Sequence, residues 1–303
     1  MAKIGIIGSG NVGTNVAFFA AERGIADVAL LDIKDGLAKG KSLDMLEAAP
    51  IRNYRIKMQA AETIQEILDS EILVVAVGAV RRPGMTREDL RDENLPVIRD
   101  LAVQLRHAPG VVIIATEPVD ILIPEFVRLS CLSPLRVLGL GGVLHSTRLR
   151  YLIAKELGIS PEDVVTQVIG RNSKSMIPLF SHTSISGIPA DILLTKEQQR
   201  SIAQTLESSG DQIVELAQRS SSYYTPSAVA ADLCEDILKN TGAIRSVSHV
   251  IQGSYGIQGV AMSLPVRLGK NGIEQIYVPK LSADEEKAFV AGATELKTLA
   301  AQV

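Results

Sequence analysis

The first residues able to do chemistry are Gly8, Gly10 and Gly13, set in the run Gly8-Ser9-Gly10-Asn11-Val12-Gly13 between an apolar segment and a stretch of helical period. In that setting the three glycines have mechanical roles, which are a tight turn, close backbone approach to a pyrophosphate, and close packing of helix on strand. Asn11 and Val12 then open a helix whose free N–H groups favour an anion. Asp32 closes the next apolar segment 19 residues after Gly13. A carboxylate there accepts hydrogen bonds from ribose hydroxyls and repels a 2′-phosphate, so the expected cofactor is NAD rather than NADP. Further on, Arg81, Arg82 and Arg87 stand in or beside a loop rich in turn residues, Gly78-Ala79-Val80-Arg81-Arg82-Pro83-Gly84, that joins an apolar run to a helical one. A loop of this composition can move. The histidines His107, His145, His182 and His249 and the cysteines Cys131 and Cys234 fall at no metal-ligand spacing, so no metal is expected and both thiols are read as inert. His107, at the end of a polar helix, and His249, in a mixed helical stretch, are expected on the surface or satisfied in the core, and His182 is a weaker acid or base candidate.

The elements that must position these groups follow from the apolar pattern. Short β-branched runs at 4–7, 28–32, 56–59, 72–77, 111–116 and 137–140 alternate with helical segments at about 12–23, 37–47, 64–68, 87–107 and 119–129. Continuous apolar runs of this kind read as buried parallel strands, and the alternation predicts an α/β fold with a doubly wound parallel sheet over residues 1–144. From about residue 145 the alternation stops. Long helical segments at 145–156, 196–219 and 226–239 and a Gly- and Pro-turned antiparallel meander at 253–279 predict a second, α+β domain over 145–303. No linker or low-complexity tract separates the halves, so close packing is expected.

Composition excludes several function classes. With 303 residues, 46% hydrophobic and 21% charged, the chain is neither fibrous nor disordered. A net charge of −3 without a basic run argues against nucleic acid and against an anionic membrane surface. No apolar run approaches the roughly 20 residues of a membrane-crossing helix. Met1 leads straight into the first apolar run without a signal-peptide pattern, from which a cytoplasmic location is expected.

Taken with Gly40-Lys41-Ser42-Leu43-Asp44-Met45, Glu117-Pro118-Val119-Asp120, Gly142-Val143-Leu144, Arg148, Ser222-Tyr223-Tyr224 and Gly253-Ser254-Tyr255-Gly256, the glycine run and the arginine loop resemble the malate/lactate dehydrogenase family in its short bacterial malate dehydrogenase form. The likeness runs along essentially the whole chain. It implies a Rossmann NAD-binding domain, a second substrate domain of that family's type, a homodimer or homotetramer, and NAD-dependent oxidoreduction of a small 2-hydroxy or 2-oxo (di)carboxylate. By the resemblance, Arg87 closes over substrate and polarises the reacting carbonyl, Arg81 selects a second carboxylate, and Arg148 grips the carboxylate beside the reacting carbon, with Ser222 on the same side. Gly78, Ala79, Asn94 and Thr116 join the glycine run and Asp32 in holding NAD. Arginine suits the substrate roles because its planar fork makes two parallel hydrogen bonds to a carboxylate.

The resemblance breaks where a proton must move. Oxidising a hydroxy acid needs a base for the hydroxyl proton, and the family uses a histidine oriented by an earlier aspartate, with an asparagine beside them. Here the aspartate place holds His145, the histidine place 27 residues on holds Asn172 in Gly170-Arg171-Asn172-Ser173-Lys174, and the asparagine place holds Glu117. An amide carries no proton on and off near neutral pH, so the usual relay fails at its centre. Two readings follow. In one, proton transfer has moved to His145, with its pKa raised by Glu117, and the protein is an oxidoreductase with an altered relay. In the other, the chain is a catalytically silent homologue that binds NAD or a dicarboxylate as a sensor, partner subunit or structural protein. Arg171 and Lys174 either add positive charge near the pocket mouth, which suits a more anionic ligand than malate, or belong to a solvated loop.

Overall fold

The structure, a computed structural model, describes residues 2–172, 175–218 and 221–301. In the first half the apolar runs form β1 (Lys3–Ile7), β2 (Asp27–Leu31), β3 (Met58–Ala61), β4 (Ile72–Val75), β5 (Val111–Ile114) and β6 (Val137–Gly139), with α1 (Asn11–Glu22), α2 (Leu37–Arg52), α3 (Arg87–Gln104) and α4 (Val119–Ser130) between them. The strands are parallel in the order β3-β2-β1-β4-β5-β6, the doubly wound arrangement whose chain direction switches between β1 and β4. Successive side chains go to opposite faces: Ile4 and Ile6 pack with Val16, Ala17 and Ala20, whereas Ile7 packs with Ile98, Leu122 and Phe126. Both faces are covered except at the edge strand β3, where Gln59 is exposed, which is why the other strands read as unbroken apolar runs. The segment expected to be helical at 64–68 is a single 3₁₀ turn, Ile64–Glu66, opened by a Thr63–Glu66 capping box and ended where Ser70 turns back on the Ile67 carbonyl through both its N and its Oγ.

The second half adds α5 (Gly141–Leu157), β7 (Val164–Val165), β8 (Val168–Gly170), β9 (Met176–Pro178), β10 (Ser184–Ile185), β11 (Ile188–Pro189), α6 (Ala190–Leu193), α7 (Lys196–Ala217), α8 (Tyr224–Leu238), β12 (Ile244–Gln252), β13 (Gln258–Gly269), β14 (Gly272–Ile276) and α9 (Ala283–Ala300). β12 pairs antiparallel with β6, so β12-β13-β8-β9 continue the same sheet. Residue 144 lies inside α5. The antiparallel meander starts at Ile244, not at residue 253, and His249 sits buried in β12 rather than in a helix. The helical reading failed because this strand is covered on both faces and puts buried Ser246 and Ser248 where a period-two pattern would show solvent-facing polar residues.

Those serines position the site. A Cβ on Gly141 or Gly142 would lie 2.4 Å from the hydroxyl of Ser263 or Ser246, so only glycines let α5 start this close to β12 and β13. Gly142 N donates to Ser263 Oγ at 2.7 Å, which pins that start. Cys234 is buried, and burial pushes its thiol pKa up, while Cys131 is exposed. Among the described residues no helix is long and apolar enough to cross a membrane.

Candidate active site

The glycine run works as its spacing implies. A Cβ on Gly8 (φ +104°) would stand 2.4 Å from the Ala76 carbonyl oxygen, and one on Gly13 would stand 1.9 Å from that of Gly8, whereas one on Gly10 would meet nothing within 4 Å. The chain's own packing therefore demands the outer two glycines, and the open space above Gly10 admits a ligand. α1 starts there with no side-chain cap and no acidic residue in its first turn, and Ser9 Oγ is buried without a partner among the described residues. Its leading N–H groups thus await an anion. Asp32, just past β2, accepts from Ser9 N (2.6 Å) and Lys34 N (2.9 Å), which fixes its carboxylate beside the turn. These residues fit a dinucleotide.

From this turn a cleft of about 1230 Å³, counting the part open to solvent, runs over the ends of β1, β4 and β5. Gly10, Asn11 and Val12 line one part of it. Gly78, Ala79, Arg81, Thr116, Ser222, Arg87, Glu117, His145, Arg148 and Asn172 line the rest. Asn94 is not among the lining residues. It braces the cleft, taking Ala79 N on Oδ1 and giving Nδ2 to the Glu117 carbonyl, both at 2.7 Å. Thr116 Oγ1 donates to the Val77 carbonyl at 2.7 Å. Arg87 is the first residue of α3, whose start is fixed by the Thr86–Asp89 capping box. His145 and Arg148 lie three residues apart on α5 and so share a helix face.

At the centre stands a line of three side chains. Asn172 Nδ2 donates to both oxygens of the Glu117 carboxylate, at 3.0 and 2.9 Å, and His145 Nε2 lies 2.5 Å from Asn172 Oδ1. A carboxylate only accepts, so the amide nitrogen must face Glu117 and its oxygen must face His145; the imidazole is therefore protonated on Nε2. His145 Nδ1 is left buried and without a partner among the described residues. Burial first, and Arg148 and Arg87 after it, pull the His145 pKa down to about 3 against the hydrogen bond to Asn172. This corrects the expectation that Glu117 raises it: the carboxylate bonds the amide between them, not the imidazole.

Behind the line, Asp120 accepts from Asn172 N and, at 2.6 Å, from Ser248 Oγ. Burial lifts its pKa to about 7 in spite of both bonds. The sequence pattern sets this residue in a motif without giving it a role. Arg87 Nη1 donates to the Asn172 carbonyl at 3.3 Å, and Arg81 pairs with Asp211 of α7 at 2.5 Å, a partner that nothing in the sequence pattern signals. Arg148 is half-buried and has no hydrogen bond or ion pair among the described residues; burial and Arg87 lower its pKa while Glu117 opposes them. Arg171 pairs with Glu295 of α9 instead of lining the cleft, and Lys174 lies outside the described residues. His182 is exposed on a 3₁₀ turn away from the cleft lining. Among the described residues no group of His, Cys, Asp and Glu could hold a metal.

The two buried titratable groups act on stability with opposite signs. His145, at about 3 against an ordinary 6.5, lets the unfolded chain bind the extra proton between those values, so its contribution is lost as pH falls through that window. Asp120, at about 7 against 3.8, binds the extra proton in the folded state, so its contribution grows as pH falls from about 7 towards 4. Asp120→Asn removes only the second effect. Its melting temperature is expected to drop more steeply than that of the unaltered protein between pH 7 and pH 4.5; parallel melting curves against pH would contradict this.

Comparison with known proteins bears on what such a cleft does. Residues 2–139 match a family model described as the NAD-binding domain of lactate/malate dehydrogenase, and residues 143–303 match one described as the alpha/beta C-terminal domain. A malate dehydrogenase of Heliobacterium modesticaldum is 35% identical over 301 residues, 99% of this chain and 97% of that one. One of Chlorobium limicola is 37% identical over 290 residues, covering 95% and 94%. Among solved structures, the malate dehydrogenase of Cryptosporidium parvum matches with a TM-score of 0.97 at 30% identity, over 99% of this chain and 98% of that one. The lactate dehydrogenase of the same organism, complexed with lactic acid and nicotinamide adenine dinucleotide, matches at 0.95 with 29% identity, over 99% and 96%.

Proposed function

The chain belongs to the lactate/malate dehydrogenase family, and from that premise we propose that it is an NAD-dependent oxidoreductase acting on a small acid at the carbon next to its carboxylate, with His145, Asn172 and Glu117 in place of the usual proton relay. One observation carries the reading: Arg148 presents a guanidinium without a protein partner among the described residues in the same cleft as the glycine turn. When bound, NAD supplies or accepts the hydride. The chain's own residues do the rest. Backbone N–H groups at Gly10, Asn11 and Val12 receive the pyrophosphate and Asp32 the adenosine ribose. Arg148 takes the carboxylate, Arg87 steadies the reacting end, and Arg81, anchored by Asp211, faces the side group. Closure of the loop that carries Arg81 excludes water. We extend the reading to a dinucleotide-binding part over 1–144, a substrate part over 145–303, and a cytoplasmic homodimer or homotetramer without nucleic-acid or membrane partners.

A second reading, a silent NAD- or dicarboxylate-binding homologue, draws on the neutral imidazole and the amide at the centre. The experiment that separates them uses C4-deuterated NADH with a panel of small 2-oxo acids and their nitrogen counterparts. Deuterium on C2 of a product supports the oxidoreductase. NADH binding by calorimetry with no label transferred to any member supports the silent homologue.

Asp32 also sets cofactor choice. Bringing a 2′-phosphate beside its carboxylate costs about 3 kcal/mol, so NADH is expected to bind about 100-fold more tightly than NADPH. Asp32→Ala should narrow that gap to less than tenfold, as read by calorimetry with each dinucleotide; an unchanged ratio would show that Asp32 does not meet the ribose.

A further inference from the structure

We propose that the acid taken by this site carries nitrogen, not oxygen, on its reacting carbon: a 2-imino carboxylate, reduced to a 2-amino carboxylate. The inference rests on the oxidoreductase reading above and names its substrate class. Its ground is what the three central side chains can still offer. Asn172 is fully engaged, its Nδ2 given to Glu117 and its Oδ1 taken up by His145 Nε2. The Glu117 carboxylate accepts hydrogen bonds only. His145 has one position without a partner among the described residues, the bare Nδ1, which is buried and is an acceptor, not a donor. The centre therefore presents the Glu117 carboxylate as an acceptor and, among these three side chains, no proton donor.

A 2-oxo acid fits that centre badly. As hydride arrives, its oxygen becomes an alkoxide that needs a proton and is repelled by Glu117. Arg87 can polarise the oxygen, but a guanidinium does not give up a proton. A protonated imine reverses every one of these terms. Its carbon accepts the hydride of the reduced dinucleotide as an electron pair, the C=N π pair moves onto nitrogen, and the cationic C=N–H becomes a neutral amine with its N–H protons unchanged. The dinucleotide is oxidised to NAD⁺, and the amine takes its final proton from water. The enzyme donates no proton in this sequence, so the loss of a proton carrier costs nothing. The cation pairs with Glu117 while the carboxylate pairs with Arg148, both of which line the cleft.

Two readouts test this. In the first, NADH oxidation by 1-pyrroline-2-carboxylate is compared at pH 7.5 with that by 2-oxopentanoate, which has the same number of carbons. The expected kcat/KM is at least 100-fold higher for the imine. In the second, calorimetry on the NADH-loaded protein needs no turnover: proline is expected to bind at least tenfold more tightly than 2-hydroxypentanoate. Glu117→Gln, which still accepts from Asn172, should abolish that preference. The unaltered protein alone decides the question if the variant fails to fold. Reduction of the 2-oxo acid at an equal or higher kcat/KM would overturn the nitrogen assignment and leave the oxidoreductase standing. NADH binding with neither substrate reduced would overturn the nitrogen assignment, and NADH binding with no label transferred to any member of the panel above would overturn the oxidoreductase as well.

Discussion

Arg148→Met is expected to lower kcat/KM for any acid this protein reduces by about 10³-fold, to leave NADH affinity within threefold, and to raise the melting temperature of the ligand-free protein. The loss follows from geometry: each charge-assisted hydrogen bond to a carboxylate is worth about 1.5–3 kcal/mol, and the planar fork makes two. The gain in stability follows from what Arg148 lacks. Its guanidinium is half-buried beside Arg87 with no hydrogen bond or ion pair among the described residues, and its lowered pKa records that the folded state disfavours its charge. Methionine keeps the apolar stem and removes that charge. Arg148→Lys should recover only part of the activity, because the charge returns without the fork. A residue kept for structure would behave in the opposite way, with activity spared and melting temperature lowered. Steady-state kinetics and a thermal melt on the same preparation decide between the two.

The triple variant Glu117→Asn/His145→Asp/Asn172→His is expected to gain reduction of oxaloacetate by at least 100-fold over the unaltered protein and to lose reduction of the imine. A correctly placed general acid or base is worth about 10²–10⁴ in rate, and this variant puts an imidazole at 172, a carboxylate behind it at 145 and an amide at 117. The arginines need no change: Arg87 already touches the Asn172 backbone, and Arg81 and Arg148 line the same cleft. The single changes should fail. His145→Asp alone buries a carboxylate against the oxygen of the Asn172 amide, and Asn172→His alone takes the donor away from Glu117. A folded triple variant that binds NADH but gains no oxaloacetate reduction would show that the arginine cluster no longer holds a 2-oxo dicarboxylate.

The parts of this molecule that were legible in its sequence are those with one dominant physical cause. β1, β2, β4, β5 and β6 could be read because strands buried on both faces admit little but apolar residues, whereas β3, an edge strand with exposed Gln59, lies at Met58–Ala61 rather than 56–59. The turn from Gly8 to Gly13 could be read because its close approaches tolerate no Cβ at two of the three glycines. The elements that were misread had competing causes. β12 hid behind serines that are buried for the sake of close packing with α5, and the turn at Ile64–Glu66 has a helix-start pattern whose continuation is ended by Ser70 bonding back to the Ile67 carbonyl. In the site, the 27-residue spacing of His145 and Asn172 correctly brings the two side chains into contact. Spacing does not say which atoms meet. The expected effect of Glu117 on His145 failed because the Asn172 amide lies between them, while burial and two arginines set the imidazole's charge. The ties from Asp211 to Arg81 and from Asp120 to Asn172 join segments distant in the chain and left no local pattern to find.

On the proposed reading, the His145 imidazole bonded to the Asn172 amide stays neutral across the physiological range and relays no proton. Nitrogen-15 NMR of histidine-labelled protein in its NADH complex observes it directly, because the chain has only 4 histidines and His145→Asn identifies the relevant signals by their loss. The predicted spectrum shows His145 protonated on Nε2 and bare on Nδ1, with no change between pH 5 and pH 8. An imidazole at this position that titrates near 6.5, or that carries its proton on Nδ1, would contradict the locked, neutral centre.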